Sequence, residues 1–521
     1  MKQLVDQQRR IALPRLSSRW FFALYLGILA LAVYLRIIGL SSRSLSVDEA
    51  YSYWFQQLSW HDLWKVTPSY ETHPPFYYSI LKIWCRIFGI TESAMRSLSV
   101  LVSVLTISVV ALWPRFVEKR LEWEWVGLGT ALLLACNAGS VQYAQQARPY
   151  ALLTLVVTLM MLTSVSLLGD LFSATDGRAL ERKVIPKVVC LGVFGGLTLW
   201  FHNTSVFTIL ANWTGLGFAV LSRSKAKRRD FCVVVIALLI ALLVWAPCVP
   251  ILLQETKTVA SNFWPQIWAG MFFWPIALVT GGPYAMIPVC VVAAIGVRHV
   301  YRAEKAFVFY SVVALALPLL IVFVLSYLFR PILLPRIFLW MGPGILLLAC
   351  YGIKNDASKM ISKGLAFTLL LTLSVYQTAM FYPSQQQNYK MLFPTLLSRV
   401  APNDIVLVYP NALDVGLKYY QRFASPRLAY TALPRAFPDL GDARPYLGGN
   451  RGEPQVVDAD RQYIDQLIAG RNKVWLVGWS QGMLAVPDIV FDELKKQRGA
   501  PVNVMDFHDL AVTEFDTGSH H

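Results

Sequence analysis

Between Trp20 and Phe381 the chain returns repeatedly to apolar runs of about twenty residues, each long enough to cross a hydrocarbon core of roughly 30 Å as a helix. Runs of that length have no place on a soluble domain. The charge content agrees: 15% of the 521 residues are Asp, Glu, Lys or Arg, against roughly a quarter in soluble proteins. From residue 382 the long runs stop, and a polar, Pro-rich stretch with strand-length apolar segments follows, as in a soluble α/β domain. The expected organisation is a transmembrane region, 1–381, with a large first outward loop at 41–93, followed by a small α/β domain at 382–521.

The formal net charge of +16 raises the possibility of nucleic acid. The basic residues, however, are spread over short loops between apolar runs rather than gathered on one soluble face, so a membrane is the expected surface partner and nucleic acid is not. Lys2, Arg9, Arg10, Arg15 and Arg19 precede the first run, Trp20 to Leu40, and the positive-inside rule places them in the cytoplasm. That run is too long and too poorly ended for a cleaved signal peptide and reads as a permanent helix. Arg115 to Arg120, Arg178 to Lys187, Arg223 to Arg229, Arg298 to Lys305 and Lys354 to Lys363 are the basic loops. Between them lie loops around 41–93, 139–149, 202–204, 254–269 and 329–336, longer or richer in aromatic, His, Asn and Pro residues. The alternation gives about eleven spans, an odd number, which puts 382–521 outside the cytoplasm, on the periplasmic side if the membrane is the bacterial inner membrane expected for this chain. Pro74 to Gly89 is too short to span comfortably and is expected to lie in the interface or to dip in and return. All seven cysteines fall in apolar segments without metal-ligand spacing and read as small core residues.

Polar residues at the membrane boundary are costly and therefore informative. The first outward loop carries the adjacent carboxylates Asp48 and Glu49, then Tyr51, and ends with His73 held extended by Pro74 and Pro75. Two readings of the acids stand: an acid pair for chemistry, or helix-start carboxylates stabilised by the dipole. Arg148, followed by Pro149 and Tyr150, places a guanidinium at the same boundary, either snorkelling or as a phosphate clamp. His202, Arg330 and Arg336 add polar groups on that face.

Taken in order, Asp48-Glu49-Ala50-Tyr51, His73-Pro74-Pro75-Phe76-Tyr77-Tyr78, Phe88-Gly89-Ile90-Thr91-Glu92, Arg96-Ser97-Leu98-Ser99 and Ala147-Arg148-Pro149-Tyr150 resemble the motif series of the GT-C glycosyltransferases. The resemblance is to the family 39 type, with the protein O-mannosyltransferases and the lipid A aminoarabinose transferase. Later matches are looser: Pro335-Arg336-Ile337-Phe338 has Ile where Tyr is usual. The resemblance implies a polytopic α-helical GT-C membrane protein that transfers a sugar from a polyprenyl-phosphate donor, with inversion, to a lipid, glycan or protein acceptor at the periplasmic face. It implies Asp48 as the base, supplemented by Glu49. It further implies that His73, Arg148, Tyr150, Tyr51, His202, Arg330 and Arg336 bind the donor phosphate and sugar. Some GT-C relatives use a divalent metal; Asp48, Glu49 and His73 supply an incomplete ligand set, so neither metal nor cofactor is assigned.

In the carboxy-terminal region, Ile405 to Tyr409 and Lys473 to Val477 read as strands, and Asp458 to Ile468 and Phe491 to Lys496 as helices. Gly478-Trp479-Ser480-Gln481-Gly482 superficially resembles a nucleophile elbow but reads as an ordinary loop at a strand end. Two other functions fit a polytopic chain. A polyprenyl-linked sugar flippase or transporter predicts charges along the spans and two related halves, whereas here the charges sit at span ends. An O-antigen polymerase or ligase gives no reason for the ordered acid, His-Pro-Pro and Arg-Pro-Tyr series.

Overall fold

The structure is a computed structural model, and it describes residues 16–119, 121–173, 177–224, 226–257, 269–329, 331–356, 360–384, 386–425, 427–440, 456–480 and 489–516. The chain divides into two compact units. One comprises residues 1–38, 96–252 and 265–383; the other comprises 39–95, 253–264 and 384–521.

The first unit is built from helices. Among the described residues, nine helices are long and apolar enough to cross a membrane, from Ser18–Ile37 to Met360–Phe381. Two further segments of the expected eleven are shorter. Glu124–Ala135 has 12 residues and Met341–Asn355 has 15, rising about 18 and 22 Å. The first is cut by Cys136 and Asn137, after which Asn137 caps a new helix, Ala138–Ala144, by accepting the Ser140 N–H at 2.8 Å. The second follows a 3-10 turn, Pro335–Phe338.

Broken backbone at membrane depth survives only where protein groups satisfy it, and here the partners can be named. The buried Arg36 donates from Nη1 to the Ala135 carbonyl at 3.0 Å, and from Nη2 to the Leu134 carbonyl at 3.1 Å and to Ser140 Oγ at 2.8 Å. Thr378 Oγ1 donates to the Cys136 carbonyl at 2.7 Å, and Asn137 Nδ2 to the Val279 carbonyl at 3.1 Å. Gln145 Nε2 reaches the Arg36 and Ile38 carbonyls at 3.0 and 2.8 Å, closing the end of the first helix.

Elsewhere the helices approach closely through small residues. A Cβ on Gly352 would stand 2.6 Å from the Val292 carbonyl oxygen and 2.7 Å from the Gly296 nitrogen, so Pro283–Ala303 and Met341–Asn355 pack backbone to backbone there. The cysteines divide: Cys85, Cys136, Cys248 and Cys350 are buried, Cys290 is half-buried, and Cys190 and Cys232 are exposed. The last two correct the expectation that all seven are core residues. On a membrane helix the outer face is also apolar, so hydrophobic sequence context does not separate core from lipid-facing positions.

In the second unit, a five-stranded sheet has the order β2-β1-β3-β5-β4, with β1 Ile405–Val408, β2 Thr431–Ala432, β3 Lys473–Trp479, β4 Asn503–Phe507 and β5 Leu510–Asp516. β1 pairs in parallel with β2 and β3, while β5 runs antiparallel to both β3 and β4. The helices Arg461–Ile468 and Ile489–Arg498 pack Ile464, Ile468, Val490 and Leu494 into the sheet's core with Val474 and Phe515. Ser480 Oγ donates to Asp506 Oδ1 at 3.1 Å and to the His508 carbonyl, which ties it into the β4–β5 hairpin. Gln481 and Gly482 of the elbow-like sequence lie outside the described residues.

The same unit contains the first loop. Its helices are Val47–Gln57, Trp60–Tyr70 and Phe76–Phe88. Phe76–Phe88, 13 residues or about 20 Å long, buries Tyr77, Tyr78, Leu81 and Cys85 and exposes Ile83, Ile87 and Phe88. This two-sided pattern suits the interface expected for it.

Candidate active site

Within the second unit, Asp48 sits in the first turn of Val47–Gln57, and that turn is fixed at several points. Ser46 caps the helix: its Oγ accepts the Glu49 N–H at 3.3 Å, while Glu49 Oε2 accepts the Ser46 N–H at 3.1 Å, a reciprocal capping box. The Val47 N–H donates to Gln387 Oε1 at 2.6 Å. At the other end, the buried Lys82 ammonium donates to the Gln56 carbonyl at 2.8 Å and to the Leu58 carbonyl. Glu49 is buried and Asp48 half-buried. The two acids therefore differ in surroundings although adjacent, because one closes the cap and the other lies one position before it. Tyr51, on the same helix, packs edge-on against Phe437 with ring centroids 6.3 Å apart.

The carboxy-terminal segment holds this loop by side chains far away in sequence. The buried Tyr420 hydroxyl accepts the Leu45 N–H at 2.9 Å and donates to Glu92 Oε1 at 3.2 Å. Burial pushes that hydroxyl's pKa well above the ordinary tyrosine range, so it remains a donor. Lys390 pairs with Glu92 at 3.1 Å, and Arg422 donates to the Ile90 carbonyl at 2.7 Å while lying over the rings of Tyr53 and Tyr419.

His73 is almost fully buried, and its Nδ1 lies 2.8 Å from Glu71 Oε1. The same carboxylate accepts the Thr72 N–H at 2.8 Å and the Tyr78 hydroxyl at 3.0 Å. A carboxylate opposite Nδ1 places a ring proton there, leaving Nε2 to set the other edge's role. Glu71 thus organises the His-Pro-Pro segment. The sequence motifs above do not include Glu71; the signal that could have found it is a carboxylate two positions before a histidine held extended by prolines.

In the first unit, Arg148 is buried in the turn between Ala138–Ala144 and Tyr150–Ser173. Tyr150 is the centre of a small aromatic and cationic group. Its ring faces Tyr143 edge-on at 5.4 Å, lies 6.3 Å from the His202 ring, and has the Arg336 guanidinium 5.7 Å from its centroid. His202 Nδ1 accepts the Thr204 N–H at 3.2 Å and lies 2.9 Å from Thr204 Oγ1, so a neutral ring carries its proton on Nε2. A small cavity beside this group is lined by Ser103, Asn137, Ser140 and Thr154 together with Tyr143 and Tyr150. Tyr150, His202 and Arg336 are brought together, with Arg148 two residues from Tyr150. Arg330 lies outside the described residues. Among the described residues, no group of three or more His, Cys, Asp or Glu side chains is arranged to hold a metal ion.

The membrane helices, the helical first loop and the small sheet domain make up a GT-C fold, the fold of a class of membrane glycosyltransferases. Similar solved structures are ArnT from Cupriavidus metallidurans in the apo state, with a TM-score of 0.59 and 13% identity over 94% of this chain and 98% of that one, and the same protein bound to undecaprenyl phosphate, with a TM-score of 0.57 and 13% identity over 96% and 98%. The archaeal oligosaccharyltransferase AglB from Archaeoglobus fulgidus, in complex with an inhibitory peptide and a dolichol-phosphate, is similar with a TM-score of 0.52 and 10% identity over 88% of this chain and 69% of that one. No family model and no curated protein matches the chain. The likeness is one of fold, and the family 39 resemblance rests on the motifs alone.

Proposed function

We propose that this chain is a glycosyltransferase that takes its sugar from a polyprenyl-phosphate donor and passes it to an envelope acceptor: a lipid A or other lipid, a glycan, or a protein. The observation that carries the reading is the similarity, over 96% of the chain, to ArnT bound to undecaprenyl phosphate. The ordered acid, His-Pro-Pro and Arg-Pro-Tyr series supports it independently. The alternating basic loops support a multi-pass inner-membrane protein with a cytoplasmic amino terminus, and residues 382–521 and the reaction on the periplasmic side.

In the proposed reaction, the acceptor hydroxyl oxygen forms a bond to the sugar's anomeric carbon on the face opposite the phosphate. The bond from that carbon to the phosphate oxygen breaks, its electron pair leaves with the lipid phosphate, and the anomeric configuration inverts. Asp48 takes the acceptor's proton, a contribution typically about 10² to 10⁴ in rate. Arg148 and His73 stabilise charge on the leaving phosphate, because fixed donors in a partly dry site need not reorganise as that charge develops. Tyr51, Tyr150, His202, Arg330 and Arg336 contact the donor. Glu49, whose carboxylate closes the Ser46 cap, orients the turn that carries Asp48.

The test is to reconstitute the full chain in sealed vesicles with polyprenyl-phosphate sugars labelled in the sugar, and to add envelope lipid extracts. The reading expects label to move from the polyprenyl lipid to an acceptor with release of polyprenyl phosphate. Sugar that crosses vesicles while remaining on its lipid is the result expected of a flippase, and it would overturn the proposal.

A further inference from the structure

Away from the polar groups described above, the first unit contains an apolar cleft of about 340 Å3, within the roughly 300–1,000 Å3 typical of ligand sites. Its walls come from Ser18–Ile37, Glu124–Ala135, Met341–Asn355 and Met360–Phe381, with Leu24, Ile28, Leu132 and Phe367 facing the space. Two of these helices are peripheral: only 22% of the apolar window of Ser18–Ile37 and 17% of that of Met360–Phe381 is buried. A cleft between such helices opens toward lipid chains. Water is excluded by the chemistry of the walls.

At one end of the cleft stand Lys354 and Lys363. Lys363 is buried except for 7% of its surface, and it donates one of its three N–H bonds to the Lys354 carbonyl at 2.8 Å. This contact pins the ammonium to the carboxy-terminal end of Met341–Asn355. Arg298 and Arg302, with His299 between them, extend the cationic surroundings, while Glu122 lies near Lys354 and Asp356 near Lys363. Lys354, Lys363, Arg298 and Arg302 against Glu122 and Asp356 give the rim an excess of basic groups. An apolar slot with a cationic rim is complementary to one class of molecule abundant in a bilayer, a lipid with an acyl chain and an anionic head group.

We propose that this cleft binds one anionic glycerophospholipid, with an acyl chain between Leu24, Leu132 and Phe367 and the phosphodiester against Lys354 and Lys363. Gly364 fits the role. It lines the cleft, and a Cβ added there meets nothing within 4 Å, so the space beside it is open. The proposal does not depend on the catalysed reaction.

The test is native mass spectrometry on the full chain, stripped of lipid and then refilled with phosphatidylglycerol, phosphatidylcholine or undecaprenyl phosphate. Phosphatidylglycerol should be retained one per chain and about thirtyfold more strongly than phosphatidylcholine, the ratio two interfacial lysines give. The double variant Lys354→Gln, Lys363→Gln should lose that preference, and Lys354→Arg, Lys363→Arg should keep it. Gly364→Leu should abolish the stoichiometric lipid while leaving the helical circular dichroism unchanged. Equal retention of phosphatidylglycerol and phosphatidylcholine would overturn the proposal. So would an undiminished preference in the Gln double variant, or displacement of phosphatidylglycerol by an equimolar amount of undecaprenyl phosphate.

Discussion

At the scale of single residues, the difference between Asp48 and Glu49 is the point on which the proposed chemistry turns. The motif resemblance favours Asp48, but the residues by themselves offer two adjacent acids and no physical means of ranking them. The capping box ranks them, since Glu49 is buried and bonded to the Ser46 N–H while Asp48 is only half-buried. The spacing from Ser46 to Glu49 matches a cap signal, but that Glu49 closes the cap and Asp48 does not is visible only in the folded turn. Glu71 was hidden for another reason: its partners, His73 and Tyr78, meet it only after the chain folds around the two prolines. Replacing Glu71 by Gln should lower kcat/KM for sugar transfer ten- to a hundredfold, equivalent to roughly 1.5–3 kcal/mol for a charged hydrogen bond, and Glu71→Asp should recover part of it. Unchanged steady-state kinetics in Glu71→Gln would remove it from the machinery. Tyr420→Phe leaves the buried Leu45 N–H without its hydroxyl partner and should destabilise the second unit by about 1–3 kcal/mol, read as a lower denaturant midpoint.

At the scale of elements, the long helices were legible because length and apolarity suffice to define a span. The two short segments were counted among the eleven expected, but their breaks were not legible. The break at Cys136 and Asn137 depends on Arg36 and Thr378, which reach it from helices far away in sequence. In the sheet, β1 and β3 were visible as apolar runs. β4 is alternately half-exposed and exposed up to the buried Phe507, and the β4–β5 turn uses His508 at φ +63° in place of an Asn-Gly signal. Gly352→Leu should lower the thermal midpoint of the detergent-solubilised protein. The added side chain meets backbone that cannot yield, and overpacking of this kind costs roughly 1–3 kcal/mol or more.

The helix Ile489–Arg498 carries a pH dependence. Hydrogen bonds from Arg461, and then from Gln497, hold the Glu493 carboxyl at about 2, below its ordinary 4.5. A depressed folded pKa contributes stability that is fully present above about pH 4.5 and is lost as the pH falls toward about 2. The stability difference between wild type and Glu493→Gln, followed by chemical denaturation, should be constant above pH 5 and shrink below 4.5. A difference that does not change across that interval would contradict the assignment.

For the molecule as a whole, composition and periodicity pointed to the membrane region and to the small α/β region that follows it. They could not reveal that residues 39–95 fold as one unit with residues beyond 384. That union is made by single contacts between residues 298 to 375 apart in the chain, among them Tyr420 with Leu45, Lys390 with Glu92 and Gln387 with Val47. The carboxy-terminal region therefore has a structural duty toward the Asp48 turn, whatever else it contacts. The most direct test of the account compares purified wild type with Asp48→Asn in sugar transfer from a labelled polyprenyl-phosphate donor, measuring donor binding in parallel. Asp48→Asn should bind donor as wild type does and turn over at least about a hundredfold more slowly, as loss of a general base requires. Turnover equal to wild type would contradict it and leave Asp48 a helix-end carboxylate.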